Sequence, residues 1–138
     1  MAQTINEVMT HDPITVDAST TIAQVARKMR EGDTGAILVT EGDELAGIIT
    51  DRDIVVRALA DGRDPDTPIG EFISRDVRTV TPDQPVEEAI RIMREDNVRR
   101  VPVSRDGRPV GIVSIGDLAL ERDEESALAD ISAGRSNN

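Results

Sequence analysis

The chain has 138 residues, a formal net charge of −11, no cysteine and a single aromatic residue, Phe72. Nucleic-acid binding rests on clustered Lys and Arg and on aromatic stacking, so this composition argues against a nucleic-acid partner. The missing cysteines exclude disulfides and thiolate metal sites. No long apolar run is present, which argues against a membrane span or a signal peptide, so we expect a cytoplasmic protein with no membrane partner. With one aromatic residue, the core is expected to be aliphatic.

An internal repeat dominates the sequence, because residues 5–54 align without gaps with residues 69–118 at a constant offset of 64. Such repeats are read before individual motifs. A unit of about 60 residues is marginal alone, so each copy needs the other as a packing partner. The repeat predicts three segments: repeat 1 over residues 1–64, repeat 2 over residues 65–125, and a flexible tail over residues 126–138.

Each copy predicts the element order β-α-β-β-α. In the first copy the expected elements are an opening segment (Ile5–Met9), a strand (Pro13–Val16), a helix (Ile22–Arg30), two strands (Ala36–Val39 and Leu45–Ile49) and a second helix (Asp51–Ala60). In the second copy the expected elements are an opening segment (Ile69–Ile73), a strand (Val77–Val80), a helix containing Val86, Ala89, Ile90 and Met93, two strands (Arg100–Val103 and Val110–Val113) and a helix from Ile115 into the acidic run Glu121–Glu125. The expected fold is α/β (α+β), with both units packed together in pseudo-two-fold symmetry.

Helical periodicity supports the helices of the first copy. The side chains expected to face the core are Ile22, Val25, Ala26 and Met29 in the first helix, and Ile54, Val55, Ala58 and Leu59 in the second. Ser19 or Thr20 is expected to cap the first helix, and Gly32 to end it. Glu41-Gly42-Asp43 predicts the turn between the two strands.

The residues that could bind a ligand stand where the last strand of each copy meets its helix. The first copy has Thr50 and Asp53 there, and the second has Ser114 and Asp117. Free N–H groups at a helix start attract phosphate, and a nearby carboxylate can accept hydrogen bonds from ribose hydroxyls. The same spacing is also a capping-box variant that stabilises a helix by about 1 kcal/mol. Both interpretations stay open, since a capping hydroxyl can still face a ligand.

Both copies match the pattern Gly-hydrophobic-x-Thr/Ser-x-x-Asp, beginning at Gly47 and at Gly111. On this pattern, the element order and the linker length, the chain resembles the CBS-domain pair, or Bateman module, over residues 5 to about 121. Residues 98–103 resemble the family's His-Arg-x-Pro-Val strand, with Arg99 in the usual His place. Stand-alone pairs with a Thr-Asp-Arg-Asp-Ile-Val segment, such as the mycobacterial hypoxic response proteins, look similar.

The resemblance implies a regulatory module that binds adenine nucleotides in two clefts between the copies and signals to a partner protein. AMP, ADP and ATP are the implied ligands, with S-adenosylmethionine or NAD as further possibilities. The implied first cleft uses Thr50, Arg52 and Asp53 with Thr79, Val98, Arg99 and Arg100. The implied second cleft uses Ser114, Gly116 and Asp117 with Thr10, Thr15, Thr34, Gly35 and Ala36. The family's habit of pairing modules also implies a homodimer.

No residue set predicts catalysis, because the chain offers no nucleophile–base pair, no P-loop and no catalytic cofactor site. His11 is the single histidine and lies in a polar segment, where a solvated role is favoured over a metal or catalytic one. Mg²⁺ is expected only as a companion of a bound nucleotide. The alternative to nucleotide sensing is a structural or stress-response dimer whose clefts bind nothing.

Overall fold

The structure, a computed structural model, describes residues 3–122, with side chains as far as Ala119; the expected tail 126–138 and the side chains of the acidic run Glu121–Glu125 lie outside this part. The elements are α1 (Ile5–Val8), β1 (Thr10–His11), β2 (Thr15–Asp17), α2 (Ile22–Gly32), β3 (Ala36–Glu41), β4 (Glu44–Thr50), a π-helix (Asp53–Leu59), a 3₁₀ turn (Ile69–Glu71), α3 (Val86–Asp96), β5 (Arg100–Arg105), β6 (Arg108–Ser114) and α4 (Ile115–Arg122). The mixed α and β fold class is confirmed. In the described part, no helix has the length and apolarity to cross a membrane.

Two compact units make up the chain, and one of them spans residues 13–77. Its sheet has the order β2-β3-β4, with β2 parallel and β4 antiparallel to the central strand. The strands β3 and β4 meet at a turn in which Gly42 has φ +66°, as the turn-forming triplet predicts. The buried core of this unit contains Val16, Ile22, Val25, Met29, Ile37, Val39, Ile49, Ile54, Ala58, Ile69, Phe72 and Ile73.

The other unit combines the residues before Pro13 with those from Arg78 onward. Its sheet has the order β1-β6-β5, and both pairings are antiparallel. The predicted strand Val77–Val80 is wrong, since only Val80 pairs, through an isolated bridge to Val103. The buried core contains Ile5, Met9, Val80, Val86, Ala89, Ile92, Met93, Val101, Val103, Val113 and Leu118.

The compact units and the sequence repeats do not coincide, because the opening segment of each repeat packs into the unit built mainly from the other repeat. Ile5 is fully buried, and its N–H donates to Gln84 O over 2.8 Å. Ile69 is also fully buried, and its N–H donates to Thr20 O over 2.9 Å. The two opening segments have the same apolar pattern, and either segment could pack in either core. The sequence alone therefore does not show which segment packs in which core. The expected division at residues 64 and 125 remains a division of the sequence.

Helix α2 begins at Ile22, as predicted, and ends at Gly32, two residues later than predicted. Thr21, not Ser19 or Thr20, is the N-cap: its hydroxyl accepts from Gln24 N over 3.2 Å, and Gln24 Oε1 accepts from Thr21 N over 3.0 Å. The reciprocal pair needs Gln three positions after the cap, which only Thr21 has. Asp33, with φ +49°, adopts the left-handed conformation that was expected of Gly32.

The predicted core faces of the helices are correct only in part. Ala26 on α2 is exposed, and on α3 the residue Ile92 is buried whereas Ile90 is half-buried. The helix after β4 is a π-helix, in which Ala60 N donates to Val55 O over 3.1 Å. The i→i+5 bonding of a π-helix changes which side chains share a face, compared with the 3.6-residue period on which the prediction rests. Ile54 and Ala58 are buried as predicted, but Val55 and Leu59 are exposed by 56% and 54%.

Candidate functional site

The first strand–helix junction holds Thr50 and Asp53 in a reciprocal pair of hydrogen bonds. Thr50 N donates to Asp53 Oδ2 over 2.9 Å, and Asp53 N donates to Thr50 Oγ1 over 3.1 Å. The pair satisfies backbone donors that a helix start leaves unbonded. The capping interpretation of this motif is therefore confirmed, and the carboxylate is held in a defined orientation.

The second junction has the same geometry. Ser114 N donates to Asp117 Oδ2 over 3.0 Å, and Asp117 N donates to Ser114 Oγ over 3.1 Å. Ser114 is buried, whereas Asp117 is half-buried. In both junctions the other carboxylate oxygen, Oδ1, accepts no hydrogen bond from the described part of the chain. Each junction thus presents an oriented acceptor that can receive a hydroxyl from a ligand.

Arg57 contacts the first carboxylate, and the sequence-based prediction of the site did not include it. Its Nη1 lies 3.7 Å from Asp53 Oδ1 and donates to the carbonyl oxygen of Phe72 over 2.9 Å. Asp four positions before Arg on one helix is a recognised pairing pattern, and this spacing is the signal that could have found it. Among the described side chains, Asp117 has no cationic partner within 4 Å.

Each junction lies beside the start of the neighbouring strand of its own sheet. In the unit of residues 13–77, Ala36 pairs with Thr50, and Asp51 N donates to Gly35 O over 3.0 Å. In the other unit the equivalent strand start carries two arginines: Arg100 pairs with Ser114, and Ile115 N donates to Arg99 O over 2.8 Å. The two junctions therefore differ in charge within their own units.

The remaining candidate residues are distributed over both units. Thr15, Thr34 and Arg52 lie in the unit of residues 13–77, where Thr34 Oγ1 donates to Ala36 O over 3.1 Å. Thr10, Thr79, Val98 and Gly116 lie in the other unit, where Thr10 pairs with Ile112 and Thr79 Oγ1 accepts from Ser104 Oγ over 3.3 Å. The expected cross-repeat groupings draw on both units, and they stay predictions.

The glycine of each motif is required by a close approach of the opening segment. A Cβ on Gly47 would overlap the carbonyl oxygen of Ser74, whose backbone bonds to Ile48 in both directions. A Cβ on Gly111 would lie 2.5 Å from Met9 Sδ and 2.9 Å from Thr10 O. The sequence motif therefore combines a packing requirement, at the glycine, with the oriented carboxylate at its end.

Unpaired cations lie near both junctions. Among the described side chains, the guanidinium groups of Arg52 and Arg99 have no carboxylate within 4 Å.

His11 is exposed, and its Nε2 lies 3.0 Å from Asn6 O. The described side chains include no cluster of three or more His, Cys, Asp or Glu residues placed to hold a metal ion.

The CBS-domain family model matches this chain twice, over residues 5–59 and over residues 69–124. The chain belongs to the CBS-domain family. This CBS-domain pair is 37% identical over 132 residues to the CBS domain-containing protein YhcV of Bacillus subtilis, covering 93% of this chain and 94% of that protein. It is 36% identical to Hypoxic response protein 1 of Mycobacterium tuberculosis, covering 94% and 92% of the two chains. The expected resemblance to hypoxic response proteins is confirmed.

Solved structures show the same fold. The crystal structure of Hypoxic Response Protein I, which holds two coordinated zinc ions, superposes with a TM-score of 0.78 at 36% identity and covers 86% of this CBS pair and 98% of that chain. The CBS domain pair of protein MJ0100 superposes with a TM-score of 0.82 at 27% identity, covering 91% and 100% of the two chains. That protein was crystallised with 5′-methylthioadenosine and S-adenosyl-L-methionine.

Proposed function

We propose that this CBS pair is a regulatory, non-enzymatic module that binds adenine nucleotides in clefts between its two repeats and signals to a partner protein. The observation that carries the proposal is the pair of matched junctions, each presenting one aspartate oxygen that the described chain leaves without a hydrogen bond. An ionised carboxylate has about four acceptor positions, and the backbone uses one of them. The two vicinal hydroxyls of a ribose can donate hydrogen bonds to the remaining acceptor positions of the aspartate.

The first cleft combines the Asp53 junction with the arginine-bearing strand start of the second repeat. This grouping brings in three arginines for phosphate: Arg52 and Arg99, which lack a carboxylate partner among the described side chains, and Arg100. Arginine matches phosphate geometry with two parallel hydrogen bonds. ATP and ADP therefore prefer this cleft, with Mg²⁺ as a companion of the phosphates.

The second cleft combines the Asp117 junction with Thr10, Thr15 and the segment Thr34–Ala36. It has Gly116 where the first cleft has Arg52, and Gly35 and Ala36 in place of the two arginines. This cleft therefore suits ligands with fewer phosphates. The joint occupancy of the MJ0100 pair by methylthioadenosine and S-adenosylmethionine supports the same chemistry here, since neither ligand carries a phosphate.

Calorimetric titration with AMP, ADP, ATP, NAD and S-adenosylmethionine tests the proposal. At 100 times its dissociation constant a ligand stabilises the folded chain by about 2.7 kcal/mol, which raises Tm by roughly 5–10 °C at this size. Adenine carried through purification is also visible as excess absorbance near 260 nm, because the chain has no Trp or Tyr. No heat from any of the five ligands at millimolar concentration would refute nucleotide binding and favour a structural dimer.

We also propose that the module is a homodimer. Apolar side chains are exposed on helices of both units: Val55, Val56 and Leu59 on the π-helix, and Ile115 on α4. Beside Ile115 a groove of about 650 Å³ is lined by Ile90, Met93, Val98 and Leu118. A second copy of the chain would cover these apolar side chains, which are costly to leave in water. Light scattering that gives the mass of one chain at tens of micromolar would refute the dimer.

A further inference from the structure

The Asp53 carboxylate is held from both sides, and the two contacts differ in kind. Thr50 N donates to Oδ2 over 2.9 Å, which uses one acceptor position. Arg57 Nη1 stands 3.7 Å from Oδ1, too far for a hydrogen bond but within the range in which opposite charges attract. The cation therefore orients Oδ1 and leaves its acceptor positions available. The Asp53 side chain is only 15% exposed, so solvent screens this pair less than a surface pair.

Arg57 is itself anchored to a buried segment. Its Nη1 donates over 2.9 Å to the carbonyl oxygen of Phe72, and Phe72 lies in the core with Ile69 and Ile73. The guanidinium group thus has a position fixed by the backbone of the opening segment, although 46% of the side chain is exposed. A fixed cation loses little freedom when it orients a neighbouring anion.

Among the described side chains, the second junction has no equivalent of this arrangement. The position 64 residues after Arg57 is Glu121, so the sequence places a carboxylate where the first repeat has a cation. The contacts described for Asp117 are those with Ser114 alone. Any effect of Arg57 is therefore specific to the Asp53 junction.

We propose that Arg57 is a positioning residue that holds Asp53 Oδ1 for a vicinal diol, so that the Asp53 site discriminates ribose from deoxyribose. The proposal rests on the proposed function, since it assumes a nucleoside ligand at this junction. The positioning role extends the proposed function, because it assigns the sugar selectivity of one site to a residue that does not itself contact the ligand. The second site, without such a cation, discriminates less.

Calorimetry with adenosine, 2′-deoxyadenosine and 3′-deoxyadenosine tests this on the full chain carrying D117N, which confines sugar-dependent binding to Asp53. Loss of a hydrogen bond to a charged group costs about tenfold or more in affinity, so adenosine should bind at least about tenfold tighter than either deoxy analogue. Arg57→Gln should reduce that ratio to about threefold or less, and Arg57→Lys should restore part of it because the charge returns.

Arg63→Gln is the matched control, because Arg63 stacks over the Phe72 ring at 5.1 Å and pairs with Glu71 without contacting Asp53. It should lower Tm as Arg57→Gln does and leave the adenosine ratio unchanged. An unchanged ratio in Arg57→Gln, or an equal fall in Arg63→Gln, overturns the positioning role. If Arg57→Gln does not fold, an unchanged ratio in Arg57→Met, which keeps most of the side-chain length without its charge, overturns it too. No adenosine binding to the unmodified chain overturns the proposed function instead.

Discussion

The two strand–helix junctions have the same hydrogen bonds and different surroundings. Thr50–Asp53 and Ser114–Asp117 agree within 0.1 Å in both reciprocal distances, 2.9 and 3.1 Å against 3.0 and 3.1 Å. The helices that follow differ, since one is a π-helix and the other an α-helix. Helix capping therefore suffices to set the motif's internal geometry, and that geometry alone does not determine the ligand.

Charge is what separates the junctions. The first junction carries Asp51, Arg52, Asp53 and Arg57, and these charges balance. The second carries Ile115, Gly116, Asp117 and Glu121 at the same four positions, with two negative charges, and its nearby cations, Arg99 and Arg100, lie on the neighbouring strand start instead. Because like charges repel an approaching phosphate, the neighbours of each aspartate decide how many phosphates its ligand can carry.

The motif glycines offer the strongest test of whether the two junctions tolerate the same change. Gly47→Ala forces a methyl group into the backbone carbonyl of Ser74, whereas Gly111→Ala first meets Met9 Sδ, the flexible end of a side chain. Overpacking costs about 1–3 kcal/mol. We expect Gly47→Ala near the upper limit and Gly111→Ala lower, as measured by urea unfolding. Equal losses of unfolding free energy would contradict this order. They would show that the carbonyl oxygen of Thr10, 2.9 Å from the added Cβ at position 111, is as restrictive as that of Ser74.

Arg100→Ala tests the proposed charge difference between the clefts. It should weaken ATP and ADP at the Asp53 site by about 1.5–3 kcal/mol, the usual range for a hydrogen bond to a charged group. Adenosine should be much less affected, since it carries no phosphate. Titrations in which adenosine and ATP weaken equally would mean that Arg100 supports the fold and that the assignment of this cleft is wrong.

Removing the capping hydroxyls should cost less and should cost the same in both repeats. Thr50→Ala and Ser114→Ala each delete the acceptor for an aspartate N–H, which is worth about 1 kcal/mol at a helix start. Chemical unfolding of the two single variants measures this. An unfolding free energy unchanged in either variant would contradict the capping role of that hydroxyl.

The repeat and the strand–turn–strand pattern could be predicted from the sequence, because alternating apolar residues and the Gly42 turn are local signals. The N-cap of α2 is harder to predict, because Ser19, Thr20 and Thr21 all precede the helix and only Thr21 has Gln24 within reach. The exchange of opening segments depends on which core receives Ile5 and Ile69, which no local signal reports. Likewise, the i,i+4 spacing suggests the Arg57–Asp53 pair, but the anchor at Phe72 O requires the fold.

The smallest expected effect on stability concerns Arg78 and its two exposed carboxylate partners, in the unit that contains the residues from Arg78 onward. Arg78 hydrogen-bonds Asp96 and Glu95 and lowers the pKa of both carboxyls from their ordinary values of 3.8 and 4.5. Carboxyls with a lowered pKa contribute stability above their ordinary pKa and lose it as pH falls through the folded value. The destabilisation by Arg78→Gln should therefore be small, greatest near neutral pH, and absent in strong acid. A loss that grows as pH falls below 3.8 would contradict this sign.

Under the proposed function each repeat contributes one aspartate to a separate nucleotide site, and the stoichiometry of AMP binding shows whether two such sites exist. Titration calorimetry of the unmodified chain, Asp53→Asn and Asp117→Asn compares the sites without altering the fold, since asparagine keeps the size of the side chain. We expect two binding events per chain in the unmodified protein and the loss of a different one in each variant. Two unaltered binding events in both variants would show that neither aspartate binds the nucleotide.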